Sequence, residues 1–275
     1  MRFARLTIAA AMAGGLASRT AVGADSAPVP VPVSDDRMVL SVNGSTLPGT
    51  DGGGGGSVGW LHSFDAETLT GVAVEHQALA AAHWTFGSVN GSLTRGLGDA
   101  RYGVYGEAHE GAGDDGPKAF KYSVVAAGII GTYFHRLSVQ LEDRQFDVET
   151  THGSLPKLGL SYSVNPHILT GVSYAHSVSG NLGTHLTSAR IDVYSSEVNF
   201  LAGVAFGQVS PTVLGLEFVV PGKSLSEGYA GVTKPLPHRR GDLTLVVDYQ
   251  DLAGSARVAV TLNYIFHFGH HGKPT

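Results

Sequence analysis

The chain of 275 residues contains no cysteine, so neither a disulfide nor a thiolate metal site can hold it together. That absence suits export through an oxidising compartment, where a stray thiol would react. Long apolar runs are also missing. Beyond the N-terminus nothing approaches the roughly 20 consecutive apolar residues of a membrane-spanning helix, which excludes a helical membrane protein. Charge is sparse at 15%, and basic residues number 18 against 23 acidic ones with no basic cluster, so phosphate neutralisation and hence nucleic-acid binding are excluded. What is abundant is glycine, 38 residues, with 12 Pro, 10 Tyr, 11 Phe and 2 Trp, a mixture that favours many short strands and turns over helices.

The first segment, MRFARLTIAAAMAGGLASRTAVGA, has Arg2 and Arg5, an apolar stretch from Leu6 to Ala17, and small residues at Val22-Gly23-Ala24. This is the pattern of a secretory signal peptide, residues 1–24, with cleavage expected after Ala24. Losing Arg2, Arg5 and Arg19 takes the formal charge from −5 to −8. Residues 25–57 differ in composition from the rest of the mature chain: APVPVPV reads as extended polyproline-like chain, and Gly52 to Gly56 as flexible linker, with RMVLSVNGS between them as one short strand. The segment is expected to be a periplasmic linker or plug, able to reach a periplasmic protein partner.

From residue 58 to Phe268 the apolar period is two. In GDLTLVVDYQDL the residues Leu243, Leu245, Val247 and Tyr249 alternate with Asp242, Thr244, Val246 and Asp248. In ARVAVTLNYIFHF the residues Ala256, Val258, Val260, Leu262, Tyr264, Phe266 and Phe268 share one face, against Arg257, Ala259, Thr261, Asn263, Ile265 and His267 on the other. Turn signals punctuate these runs: Asp65 to Glu67, Gly96 to Asp99, EGAGDDGPK, His135-Arg136, THGS, Asn165-Pro166, SGNLG, Ser195, Ser210-Pro211, Pro221-Gly222, PLPHRRG and Ala253-Gly254. Fourteen strands are expected, twelve being the alternative count, and an even number places both chain ends on one side of a barrel.

A soluble sandwich alternates too, so further features decide between core and lipid. Runs such as 241–252 and 254–268 reach or exceed the roughly 9 to 11 residues with which a tilted strand crosses a bilayer. Short turns join consecutive strands over the last two thirds of the chain, the mark of an up-and-down meander. Tyr and Phe on the apolar face stand near strand ends, where a headgroup girdle is expected: Tyr264, Phe266, Phe268, Tyr249, Trp60 and Phe64. The reading is an all-β, up-and-down antiparallel transmembrane β-barrel over residues 58–268, in contact with outer-membrane lipid and lipopolysaccharide, with a C-terminal tail at 269–275. HRRGD, His238 to Asp242, is read as a basic turn that is solvated or touches lipopolysaccharide.

The span from about Val58 to Phe268 resembles Gram-negative outer-membrane barrels, and LPKLGLSYSVNPHILTGVSYAHSVSGNLGTHLTSARIDVYS, residues 155–195, is similar in rhythm and turn chemistry to the YaiO-type outer-membrane barrel group. The last strand resembles the C-terminal signal read by the barrel-assembly machinery, a polar residue followed by spaced aromatics: Thr261, Tyr264, Phe266 and Phe268. It departs from that pattern in Asn263, where a glycine is common, and in the added GHHGKPT.

If the apolar face meets lipid, the opposite face lines a lumen. The lining is then expected to include Arg101, Glu107, Gln140, Glu142, Arg144, Arg190, Asp192, Glu197, Asn199, Glu217, Asp242, Asp248, Gln250 and Arg257. At fourteen strands the bore falls between the filled barrel of about 8 and the open channel of about 16 to 18, so partial occlusion is expected. The function expected is a channel or an export and docking conduit for small polar solutes or an exported polymer. Two alternatives stand beside it: a non-conducting structural or anchoring barrel that works through residues 25–57, and an outer-membrane hydrolase acting on lipids. For the hydrolase the Ser and His residues nearest one another are His176 and Ser177, His152 and Ser154, and Ser173; no nucleophile elbow marks any of them, so the chain is expected not to be an enzyme. No cofactor is expected. His267, His270 and His271 could chelate a transition ion, and Glu107, His109, Glu110, Asp114 and Asp115 a cation, but neither set has the spacing of a dedicated site.

Overall fold

The structure, a computed structural model, describes residues 35–46, 53–65, 67–79, 82–115, 118–148, 151–209, 223–236, 241–252 and 255–268. The expected signal peptide, the tail with His270 and His271, the basic turn at 238–240, and Glu217 lie outside the described residues.

The described residues form fifteen strand segments and no helix. They are β1 Asp35–Thr46, β2 Gly53–Ser63, β3 Thr68–Leu79, β4 Ala82–Leu97, β5 Ala100–Asp115, β6 Lys118–Tyr133, β7 Leu137–Val148, β8 Thr151–Ser154, β9 Lys157–Asn165, β10 Ile168–His176, β11 His185–Val193, β12 Asn199–Val209, β13 Lys223–Pro235, β14 Gly241–Leu252 and β15 Ser255–His267. Each strand pairs antiparallel with its chain neighbour, and β1 pairs with β15 from Arg37↔His267 to Thr46↔Val258, which closes the sheet. Closure leaves, among the described strands, only the far edge of β8 without a strand partner, and the β10–β11 loop covers it, as backbone inside hydrocarbon requires. Segments β8 and β9 both pair with β7 in one register, Gln145↔Ser154 and Glu142↔Lys157, so they are one wall strand. It is interrupted at Leu155-Pro156, since proline has no N–H to give the ladder. The ring therefore has fourteen staves.

Fourteen is the expected number, but not the expected fourteen segments. The linker assignment for residues 25–57 is corrected at 35–46 and 53–57, because β1 and the first half of β2 are wall. Gly53 to Gly56 form a regular ladder with both β1 and β3. Glycine is there for room: a Cβ on Gly55 would overlap the side chain of Gln77, which fills the space inside. THGS and EGAGDD, expected as turn and loop, are also wall, β8 and the end of β5. Conversely β3 ends at Leu79 and β4 begins at Ala82, a hairpin with no Gly, Pro, Asn or Asp to signal it. The two turns expected at 210–211 and 221–222 fall outside the described residues, and β12 pairs directly with β13.

Side chains sort by parity, as a period of two requires. On β15, Val258, Val260 and Leu262 are at least 40% exposed on the outer face, while Arg257, Ala259 and Thr261 are at most 7% exposed inside. The outer face is apolar around the ring, with Val42, Val58, Val72, Val89, Ile129, Leu160, Val204 and Leu245 among its exposed residues. At the end where β1 begins and β15 ends, the terminal end of the described chain, the outer face is aromatic. Trp60 stacks on Phe268 at 5.6 Å, Phe266 meets Tyr264 edge-on at 3.8 Å, and Tyr102 meets Tyr133 at 5.9 Å. The β6–β7 turn there holds Phe134 and His135 at φ 53° and 55°, the two successive left-handed residues of a tight hairpin.

Candidate functional site: the lumen

The inner wall carries most of the charge in two clusters. The first spans β5 to β9 and exists because β6 is small where it crosses. Ala126 and Gly128 stand between Glu107 and Arg144 and between Tyr105 and Glu142, so side chains of β5 and β7 meet over β6. Arg144 donates from Nη2 to Glu107 Oε1 at 2.5 Å and lies 3.4 Å from Glu142 Oε1. Tyr105 donates its hydroxyl to Glu142 Oε2 at 2.6 Å and accepts from Gln140 Nε2 at 2.6 Å. His109 Nε2 stands 3.6 Å from Glu107 Oε1. Lys157 is the register partner of Glu142.

The second cluster lies about half the ring away, on β11 to β15. Gln250 donates to Glu227 Oε1 at 3.3 Å and accepts from Arg257 Nη1 at 3.4 Å, with Asp248 beside them. Arg190 Nε is 3.4 Å from Asp192 Oδ2. Here Gly203 of β12 plays the part of Gly128, since a Cβ on it would overlap the ring of Tyr229. Between the clusters much of the inner wall of β1 to β3 is small, with Ser41, Asn43, Ser45, Gly55, Ser57, Gly59, Gly71 and Ala73, and Val39, Leu61, Glu75 and Gln77 are the larger side chains there. Ser41 Oγ and Asn263 Oδ1, cross-strand partners on that side, have no hydrogen-bond partner among the described residues.

Of the residues expected in the lumen, Arg101, Glu107, Gln140, Glu142, Arg144, Arg190, Asp192, Asn199, Asp242, Asp248, Gln250 and Arg257 take the inward parity. Glu197 does not: it sits in the exposed β11–β12 turn, where its N–H meets Ser195 Oγ at 3.4 Å, because β12 starts only at Asn199. Asp242 stands near the termini, 3.4 Å from His267 Nε2. Sequence reasoning missed Glu75, Gln77 and Lys157, and Tyr105 and Tyr229 inside. Tyr105 shares the parity of Arg101, Glu107 and His109, the signal that could have placed it inside; around Tyr229 the alternation is blurred by glycines.

The serines and histidines considered for hydrolysis are engaged separately. Ser154 Oγ donates to Asp143 at 2.5 Å on the outer face, Ser173 bonds Ser188 at 2.8 Å inside, and Ser177 Oγ accepts from the Thr184 N–H at 3.0 Å. His176 stacks on Tyr174 at 6.3 Å, facing outward. The run Glu107 to Asp115 is split by parity, Glu107 and His109 inside, Glu110 and Asp114 outside, so it cannot gather on one cation. The β10–β11 loop turns inward at the end opposite the termini. Val178 N–H bonds Ser154 O at 3.1 Å, Asn181 N–H bonds His152 O at 2.9 Å, and Leu182, fully buried, joins Val124, Phe146, Leu155 and Ala175.

No family model and no curated protein matches the chain. Solved structures do. The chain is similar to the CymD monoaromatic hydrocarbon channel, with a TM-score of 0.57 over 87% of this chain and 89% of that one at 10% identity. It is similar to the outer membrane protein Omp33 of Acinetobacter baumannii, with a TM-score of 0.53 over 86% and 100% at 10% identity. A mutant of the TodX monoaromatic hydrocarbon channel, deltaS2S3, gives 0.52 over 86% and 90% at 8% identity. The fold is that of an outer-membrane β-barrel. At these identities the likeness speaks for fold alone, and function has to be read from the residues of the lumen.

Proposed function

We propose that the chain is an outer-membrane channel for small polar solutes, narrowed at mid-height by the two charged clusters and passable along the β1–β3 side. The observation that carries this is the two-sided wall, an apolar band outside and, inside a closed ring of fourteen staves, fixed polar and charged groups. Fourteen strands enclose a backbone cylinder about 25 Å across, wider than side chains fill in barrels of about 8 strands. The two clusters stand on different walls, and the mid-height residues of β1 to β3 are mostly Ser, Asn, Gly and Ala, with Val39 and Glu75 the larger ones, so the free cross-section lies off-centre. The structural relatives CymD and TodX are themselves described as channels.

Purified protein in planar bilayers is expected to give discrete conductance steps. No ion current at any voltage or salt concentration would overturn the reading. The anchoring alternative loses part of its support, since residues 35–46 and 53–57 of the segment it relied upon are wall. Two assignments complete the proposal. Residues 155–195 mark a relation to the YaiO-type group, and the outward rings of Tyr264, Phe266 and Phe268, with inward Thr261, are the signal read by the barrel-assembly machinery. The end bearing both termini is taken as periplasmic, the longer connections standing at the other end.

A further inference from the structure

Four aromatic side chains converge on the inner wall in the half of the lumen away from the termini. Trp84 and Phe86 come from β4, Phe120 and Tyr122 from β6, and the residues of β5 between them are Gly113 and Gly111. A Cβ on Gly111 would overlap Phe86, and one on Gly113 would overlap both the Phe120 ring and Trp84, so only glycine lets the rings close over β5. Phe86 and Tyr122 meet with centroids 5.6 Å apart and planes tilted by 34°. His109 abuts the Phe86 ring at 5.8 Å. Trp84, Phe86 and Phe120 are each at most 6% exposed.

Glu75 stands next to this shelf as the register partner of Phe86, with Gln77 beside Trp84. Its carboxylate, 5% exposed, accepts a hydrogen bond from Gln77 Nε2 at 2.7 Å and has no Arg or Lys within ion-pair distance among the described residues. The acids of the two clusters are better served: Glu107 and Glu142 have Arg144 and Asp192 has Arg190 within ion-pair distance, and Arg257 acts on the charges of Glu227 and Asp248. The His109 imidazole is the one basic group that acts on Glu75; an enclosed carboxylate with no fixed cation beside it is costly, and aromatic faces present negative charge of their own to whatever sits over them. A cation satisfies both, and ring surfaces select one that is weakly hydrated and organic. Trp84 Nε1, buried with no acceptor among the described residues, leaves a donor for an oxygen on the same molecule.

We infer that Glu75 and the Trp84–Phe86–Tyr122 shelf form a binding site for a small organic cation, an ammonium bearing a hydroxyl or carbonyl oxygen. The inference deepens the channel reading by naming a solute class for that lumen. Trp60→Phe, on the outer face, leaves Trp84 as the sole tryptophan. Titrating that protein in detergent micelles with choline, and following Trp84 fluorescence, reads binding with no need for current. The control is 3,3-dimethylbutan-1-ol, the uncharged carbon isostere of choline. A saturable change with choline is expected, about tenfold or more weaker with the alcohol and in Glu75→Gln, and a few-fold weaker in Phe86→Leu. Each variant is checked for the compact band of a folded barrel on unheated gels. If Glu75→Gln does not fold, Phe86→Leu and the isostere comparison decide. Equal responses to choline and the alcohol, an unchanged titration in folded Glu75→Gln, or no response at all would overturn the site. Choline binding without conductance sinks only the channel reading, and conductance without choline binding sinks only this site.

Discussion

Two adjacent residues of β15 give the most direct test of which side of the wall faces hydrocarbon. Leu262 lies on the outer face, 40% exposed, and is paired with Val42 on β1 and Leu245 on β14, both of them exposed and apolar. An arginine there projects into the apolar band near its middle, where a basic residue on a barrel's lipid face costs about 2–4 kcal/mol. Asn263, the next residue, points inward beside Ser41, and Asn263 Oδ1 and Ser41 Oγ, enclosed and with no hydrogen-bond partner among the described residues, offer acceptors to a donor placed there. An arginine there keeps its guanidinium in water or near those oxygens and is expected to cost under about 1 kcal/mol, the range of surface changes that break no buried contact. Leu262→Arg should therefore lower the folding equilibrium constant by about 30- to 700-fold and Asn263→Arg by less than about fivefold. Denaturant unfolding and refolding into short-chain lipid vesicles, monitored by tryptophan fluorescence and confirmed by gel mobility, measures both. Equal destabilisation by the two substitutions, or the reverse order, would refute the assignment of inside and outside and with it the lumen.

Replacing Arg144 by Met strips the shared arginine from Glu107 and Glu142 while keeping the stem's bulk, and is expected to cost about 3–5 kcal/mol by leaving two enclosed carboxylates without it. It should also raise cation preference, read as a shifted reversal potential in a salt gradient, and adding Glu107→Gln should return part of both effects. Leu182→Ala removes the fully buried side chain that holds the β10–β11 loop inside, and is expected to cost about 2–5 kcal/mol. A larger single-channel conductance should accompany it, and an unchanged one would show that the loop does not narrow the passage.

Most of the wall was legible in the sequence because a strand's two faces are set by a local rule. Leu243 to Tyr249 and Val258 to Phe268 could be assigned to lipid, and Asp248 and Arg257 to the interior, without knowing their partners. The rule fails where local chemistry and register disagree. Gly52 to Gly56 has the composition of a linker, yet most of it is wall because β1 and β3 supply ladders on both sides and Gln77 needs the space inside. The Leu79 to Ala82 hairpin has no turn residue to announce it. Glu197 fell out of the lumen because Ser195 captures the turn before β12 begins.

What the sequence by itself determined is the two-faced wall, since side-chain direction alternates with every residue whatever the strand pairs with. Only the tertiary structure decided which inward groups meet. Glu107 and Arg144 lie 37 residues apart and touch because Ala126 leaves the space above β6 empty. Phe86 and Tyr122 close over Gly111 in the same way. Such contacts between alternate strands depend on register, which the hairpin lengths set around the whole closed ring, so no local stretch of sequence contains them.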